Sequence, residues 1–231
     1  MPAPTFLEFP DRKTASAAAA DRLARALERQ LDSGGPASLV VSGGGTPVEC
    51  LRFLSGTELD WPRVTVLPSD ERWVPADHAD SNEAMIRQQL LTGAAGAAHW
   101  LPFYRPGLDP ATAATAIGEE ILALPRPFGA VLLGMGEDGH FASLFPDYDG
   151  LESALDPDSD VYCVPVQTLG SPHPRISLTL AALVDSVAIQ LLFFGAAKRR
   201  VFDSALNGSG NFPVAALLSQ DRTPVTAIWA P

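Results

Sequence analysis

The sequence predicts an α/β protein built on a mainly parallel sheet with helices packed against it. Three observations carry this expectation. Short apolar runs recur along the chain, and several are continuous rather than alternating, as in strands covered on both faces. Segments of helical periodicity fall between many of those runs. The length of 231 residues, 46% of them apolar, suits one such domain with a sizeable core, and residues 1–231 are read as a single domain.

The first helix is read over Thr14–Leu31, where Ala19, Leu23, Ala26, Leu27 and Leu31 recur at helical spacing until Gly34-Gly35 stops it. Strands are expected at Ser38–Val41, Val64–Leu67, Ala130–Leu133, Val161–Val166, Ile176–Leu180, Val187–Phe194 and Val225–Trp229. Between them, helices are expected at Pro47–Leu54, Asn82–Leu91, Ala111–Leu124, Ala196–Leu206 and Val214–Leu218. Gly93–Pro110 and the acidic stretch Asp147–Asp160 read as surface loops.

Charge and cysteine content exclude several classes of function. Sixteen basic residues against 27 acidic ones give a formal charge of −11, the wrong sign for general binding of nucleic acid or an anionic membrane. A small anion held in a local basic pocket remains compatible. Cys50 and Cys163 stand apart with no CxxC pairing, and they read as two buried free thiols. The amino terminus MPAPTFLEFPDRK has no basic region followed by an apolar core, so no signal peptide is expected and a cytoplasmic location is. The most apolar run, Val187–Phe194, is too short to span a bilayer.

In a parallel α/β sheet, ligands bind where the carboxyl ends of the strands meet the following loops. Four unusual clusters fall there. Ser42-Gly43-Gly44-Gly45-Thr46-Pro47 offers bare backbone N–H groups before a helix, an arrangement suited to phosphate, with Thr46 expected as the helix cap. It lacks the GK[ST] of a Walker loop. Ser69-Asp70-Glu71-Arg72-Trp73-Val74-Pro75 packs mixed charges at a strand end. Asp70 reads as a base or a polar anchor, and Arg72 as a partner for phosphate or carboxylate; a surface ion cluster is the alternative.

Gly134-Met135-Gly136-Glu137-Asp138-Gly139 matches GxGxxG, but His140 follows at once and Pro146 arrives within two turns, so no dinucleotide site is expected. The informative feature is Asp138 two residues before His140. A carboxylate beside an imidazole sets its tautomer and makes it a general base near neutral pH. Lys198-Arg199-Arg200 places three cations early in a helix, against the helix dipole, as though an anion offsets them. Lys198 is the stronger candidate there, and Arg175 at the start of a strand is another candidate phosphate ligand. No GxSxG, HExxH or CxxC occurs, and His78, His99 and His173 lack ligand spacing and read as structural or surface residues.

Taken in order, these clusters resemble the 6-phosphogluconolactonase family: the glycine turn, Ser69-Asp-Glu-Arg-Trp-Val-Pro75 with Ser81-Asn82 downstream, Gly134-Met-Gly-Glu-Asp-Gly-His140 with Ser143-Leu-Phe-Pro146, Arg175-Ile-Ser-Leu-Thr179, and Gly195–Lys198. The resemblance implies a modified Rossmann-like, three-layer fold shared with glucosamine-6-phosphate deaminases. It implies hydrolysis of 6-phospho-D-glucono-1,5-lactone, with His140 activating water and Asp138 supporting it. Ser42, Gly43, Gly44, Gly45, Thr46, Asp70, Arg72, Arg175 and Lys198 would surround the substrate. Neither metal nor cofactor is implied, no macromolecular partner is expected, and the chain reads as a monomer or weak homo-oligomer. Two positions depart from the pattern: Phe141 replaces the threonine frequent after the histidine, and Gly45 replaces a serine or threonine after the paired glycines. Rival readings are a deaminase/isomerase and a non-catalytic sugar-phosphate binder. Phe145 opposes the deaminase, which carries a glutamate at that position.

Overall fold

The computed structural model describes residues 4–231. In chain order the elements are β1 (Thr5–Glu8), α1 (Arg12–Asp32), β2 (Ala37–Val41), α2 (Val48–Ser55), β3 (Val64–Pro68), β4 (Asp70–Arg72), α3 (Asn82–Gln89), β5 (His99–Trp100), α4 (Pro110–Leu122), β6 (Ala130–Leu133), α5 (Leu151–Ala154), β7 (Cys163–Val166), β8 (Arg175–Leu178), α6 (Leu180–Val184), β9 (Ile189–Phe194), α7 (Ala196–Leu206), α8 (Val214–Ser219) and β10 (Val225–Ala230). Seven strands form a parallel sheet in the order β1-β10-β9-β6-β2-β3-β5.

The continuous apolar runs are explained by burial on both faces. Along β2, Val40 enters one core while Leu39 and Val41 enter the other; along β6, Val131 and Leu133 oppose Ala130 and Leu132 in the same way. Helices α1, α2 and α3 cover one face, and α4, α6, α7 and α8 the other. This is the mainly parallel α/β sheet that the sequence predicts, in the three-layer, modified Rossmann-like arrangement that the resemblance implies. Helix α1 starts where the Asp11 side chain accepts the Thr14 N–H at 2.8 Å, and it stops before Gly34, whose φ is +94°. Among the described residues, no helix is long and apolar enough to cross a membrane.

The predicted strands Val161–Val166 and Ile176–Leu180 do not join the parallel sheet. As β7 and β8 they pair antiparallel with one another and with β4 in a separate sheet of order β4-β8-β7. Ser69 alone separates β3 from β4, so the chain leaves the carboxyl edge of the large sheet and passes at once into the small one. The Asp70–Arg72 segment, read as a loop, is thus a strand. Its three residues are too few to show a periodicity, and their pairing partners lie far away in sequence. The acidic stretch after Asp147 contains the short helix α5, and β1 is an additional edge strand beside β10.

Candidate active site

The parallel sheet reverses its winding between β2 and β6: β3 and β5 lie to one side, and β9, β10 and β1 to the other. A crevice opens at the carboxyl ends of strands at such a switch point. Here it is a cleft of about 230 Å³ to which all four strand-end clusters contribute. Ser42 to Thr46 line it after β2, Asp70 and Arg72 from β4, His140 after β6, Arg175 from β8 and Lys198 from α7. Of the residues expected in the site, Asp138 alone stands outside this cleft; it borders an adjoining groove with Phe145 and Arg175.

The glycine turn is shaped by a close approach. A Cβ on Gly43 would lie 1.9 Å from Asn82 Oδ1, so only glycine fits there, and Gly44 has a φ of +81°. Asn82 is fixed in turn, its side-chain amide donating to the Asp70 carbonyl at 2.8 Å. Ser42 Oγ is buried with no protein partner, a hydroxyl available to a ligand. Thr46 does not cap the helix as expected. Helix α2 begins at Val48 with Pro47 in the cap position and no side-chain cap, so the Thr46 side chain lines the cleft instead.

The acidic-basic cluster after β3 divides by role. Asp70 is buried and accepts Ser69 Oγ at 2.8 Å and Ser143 Oγ at 2.6 Å, with Arg175 Nη1 3.9 Å away. Of its two readings, this geometry is that of a polar anchor. Glu71 is buried at the start of α3, where it accepts the N–H groups of Asn82 and Glu83, both at 2.7 Å, and of Arg72 at 2.8 Å. Burial pushes its carboxyl up to about 7, against the pull of those three hydrogen bonds. Arg72 donates Nη1 to the Asp80 carbonyl at 2.5 Å, while its Nε is buried without a partner. Arg175 holds Ser171 Oγ at 3.1 Å and lies over the Phe145 ring at 5.1 Å. Burial lowers its pKa first of all, and the neighbouring Arg72 adds to that lowering.

The loop after β6 presents the imidazole. Gly136 N–H donates to the His140 carbonyl at 2.9 Å, and a Cβ on Gly136 would lie 2.3 Å from His140 Nδ1. Asp138 Oδ1 lies 2.5 Å from Nδ1 and also accepts the His140 backbone N–H at 3.2 Å. Burial works to raise the Asp138 pKa, but its hydrogen bond to His140 and the charge there prevail and hold it low. An ionised carboxylate only accepts, so a neutral imidazole in this position holds its proton on Nδ1 and its lone pair on Nε2. The Phe145 ring packs 4.3 Å from the imidazole, and Ala142, at a φ of +48°, turns the backbone beside it.

Lys198 sits in the first turn of α7, after Gly195 at a φ of +87°. Burial lowers its pKa, Arg12 adds to the effect, and Glu137 and Asp138 oppose it. Arg199 faces away from the cleft, pairing with Asp203 at 2.9 Å and Glu8 at 3.3 Å. Sequence reasoning did not place Asn82, Ala142 or Ser143 in or behind the site. Both Asn82 and Ser143 had a signal in the motif pattern, as Ser81-Asn82 and Ser143-Leu-Phe-Pro146, but no spacing shows that Ser143 reaches Asp70 across 73 positions. Cys50 and Cys163 are free and buried as expected, and burial pushes the Cys50 thiol up to about 12.

Comparison with known proteins identifies the family. The family model described as glucosamine-6-phosphate isomerases/6-phosphogluconolactonase matches residues 10–229. A 6-phosphogluconolactonase of Mesorhizobium japonicum is 40% identical over 223 residues, 96% of this chain and 94% of its own. One from Pseudomonas aeruginosa is 41% identical, over 94% of this chain and 89% of its own. The crystal structure of a 6-phosphogluconolactonase from Shewanella baltica superposes with a TM-score of 0.92 at 35% identity, covering 99% of this chain and 98% of that one. With the match spanning nearly every residue from α1 to β10, the chain belongs to the glucosamine-6-phosphate isomerase/6-phosphogluconolactonase family.

Proposed function

We propose that this protein is an enzyme that hydrolyses 6-phospho-D-glucono-1,5-lactone to 6-phospho-D-gluconate, with His140 as general base. The observation that carries the reading is the Asp138–His140 pair, 2.5 Å apart, beside a cleft that also receives Arg72, Arg175 and Lys198. The chemistry needs a base for water and cations for a phosphate, and the cleft offers both.

In this reading, the phosphate is held by the cations together with the N–H groups of the Ser42–Thr46 turn and the free Ser42 hydroxyl. His140 Nε2 takes a proton from water as its oxygen attacks the lactone carbonyl carbon. The tetrahedral intermediate collapses by breaking the bond to the ring oxygen, which receives the proton back from His140. Asp138 stays ionised throughout, steadying the imidazolium and keeping Nε2 toward the reaction. The ester is already activated by its ring, so the step calls on no group beyond these side chains.

The discriminating experiment offers the purified protein 6-phosphogluconolactone and glucosamine 6-phosphate side by side. Loss of lactone faster than the spontaneous rate, with no ammonia from the amino sugar, is expected. Ammonia release would overturn the choice in favour of the deaminase. Phe145 packs on His140 where the deaminase pattern has a glutamate, leaving that chemistry without its carboxylate.

A further inference from the structure

Two of the four histidines, read from the sequence as structural or surface residues, meet beyond the paired ends of β4 and β8. His78 and Asp80 lie in the loop between β4 and α3, and His173 lies just before β8. Pairing of β4 with β8 continues past the strand ends, with Trp73 N–H donating to the Pro174 carbonyl at 2.7 Å. That contact closes the 93 positions between Asp80 and His173. His173 Nε2 lies 3.0 Å from Asp80 Oδ2, and His78 Nδ1 lies 3.9 Å from the same oxygen. The two rings stand edge to face, 5.3 Å apart at 80°. One ligand atom from each residue lies within 4.8 Å of the other two.

We propose that His78, Asp80 and His173 form a binding site for a divalent cation of the Zn²⁺ class, separate from the catalytic base. Four ligands around zinc at about 2.0–2.2 Å stand roughly 3.4 Å from one another. The present separations bracket that value, so small side-chain rotations close the site. Two imidazoles and one carboxylate suit zinc, whereas magnesium and calcium prefer oxygen ligands throughout. Three protein ligands leave a fourth position for water.

The protonation chemistry is compatible with metal binding. The hydrogen bond from His173 holds Asp80 below the usual carboxylate range, with smaller contributions from the neighbouring histidines and Arg72. His78 Nδ1 now accepts the Asp80 amide N–H at 3.1 Å, and an ion would take over that lone pair. The released amide is exposed and passes to water. As the ion takes the Nε2 lone pair of His173, the proton of the neutral ring moves from Nε2 to Nδ1, so the ligand stays a neutral imidazole. Arg72 is the nearby opposing charge, its guanidinium bonded to the Asp80 carbonyl on the side of the cleft. It weakens the site relative to an all-neutral surround, so micromolar affinity is expected. An ordinary exposed ion pair would need only one imidazole at Asp80; the second is what the metal reading explains.

The test is titration of the intact, chelator-stripped protein with Zn²⁺ alone, in competition with a chromophoric chelator. One equivalent should bind, and His78→Gln and His173→Gln should each weaken binding at least tenfold with unchanged circular dichroism. His99→Gln and His140→Gln should retain the wild-type affinity. No binding at micromolar protein concentration would overturn the proposal. So would binding that survives in the double variant His78→Gln/His173→Gln but disappears in His140→Gln, which would place the ion on the catalytic pair.

Discussion

Arg72 on β4 and Arg175 on β8 are directly opposed residues of an antiparallel strand pair. Like charges in that relationship repel and destabilise a sheet. Both arginines line the same cleft, and Arg72 keeps a buried Nε without a partner. Asp70, 3.9 Å from Arg175, offsets part of the repulsion. A bound phosphate would offset the rest, which makes this cross-strand pair the strongest structural argument for an anionic substrate.

Substitution of Arg72 should therefore act on binding. A hydrogen bond between charged groups contributes about 1.5–3 kcal/mol, so Arg72→Gln should raise KM for the phosphorylated lactone by roughly tenfold to a hundredfold. Lys198→Ala should raise KM in the same direction. Steady-state kinetics against phosphorylated and unphosphorylated gluconolactone check this, since neither variant should change KM for the unphosphorylated sugar. An unchanged KM for the phosphorylated lactone in both variants would refute the assignment of the anion site.

The imidazole and its carboxylate should separate from binding. His140→Ala should lower kcat by about 10²–10⁴-fold while 6-phosphogluconate still binds, measured by calorimetry. Asp138→Asn removes the acceptor-only partner of Nδ1 and frees the ring to adopt the other tautomer. Its kcat should fall with KM nearly constant. Full activity in His140→Ala would remove the basis of the proposed mechanism.

Gly43 and Asn82 should behave as a coupled pair. Gly43→Ala drives a methyl into Asn82 Oδ1 and should destabilise the protein by about 1–3 kcal/mol while raising KM. The double variant Gly43→Ala/Asn82→Ala should recover part of that stability but not the KM, because the Asn82 side chain no longer lines the cleft or holds the Asp70 carbonyl. Thermal unfolding of the four proteins in the cycle decides the matter; additive effects would show that the two residues are not coupled.

Glu71 makes a signed prediction about pH. Its carboxyl titrates near 7 in the folded protein against an ordinary 4.5, so the folded state holds the proton more tightly. The associated stability is complete below about pH 4.5 and is lost as pH rises through about 7. Chemical denaturation at a series of pH values across this window should show wild-type stability declining relative to Glu71→Gln. Parallel curves for the two proteins would contradict the raised value.

Much of the large sheet was legible because its cause is local. β2, β6 and β9 are buried on both faces, so each is a mainly apolar run, interrupted only by Ser38 in β2 and Gln190 in β9. Chemistry at strand ends was legible for the same reason: a glycine turn, a charge cluster or an Asp-Gly-His step stands out against the run before it. Two strands of the small sheet were read, but their separate pairing was hidden, because β4 is three residues long and its partner strand is distant in the chain. The capping role expected of Thr46 failed locally, since the helix starts one residue later than the proline suggested.

Residue types and their spacing were enough to name His140, Asp138, Arg72, Arg175 and Lys198, since each breaks a pattern set by its own neighbours. Tertiary structure alone decided how they are arranged around one cleft. The β4–β8 pairing sets Arg175 opposite Arg72, and the same pairing brings His173 to Asp80. Ser143 reaches Asp70 from another loop and makes it an anchor. These relations depend on contacts between segments far apart in the chain, and a one-dimensional pattern carries no record of which distant residues will meet.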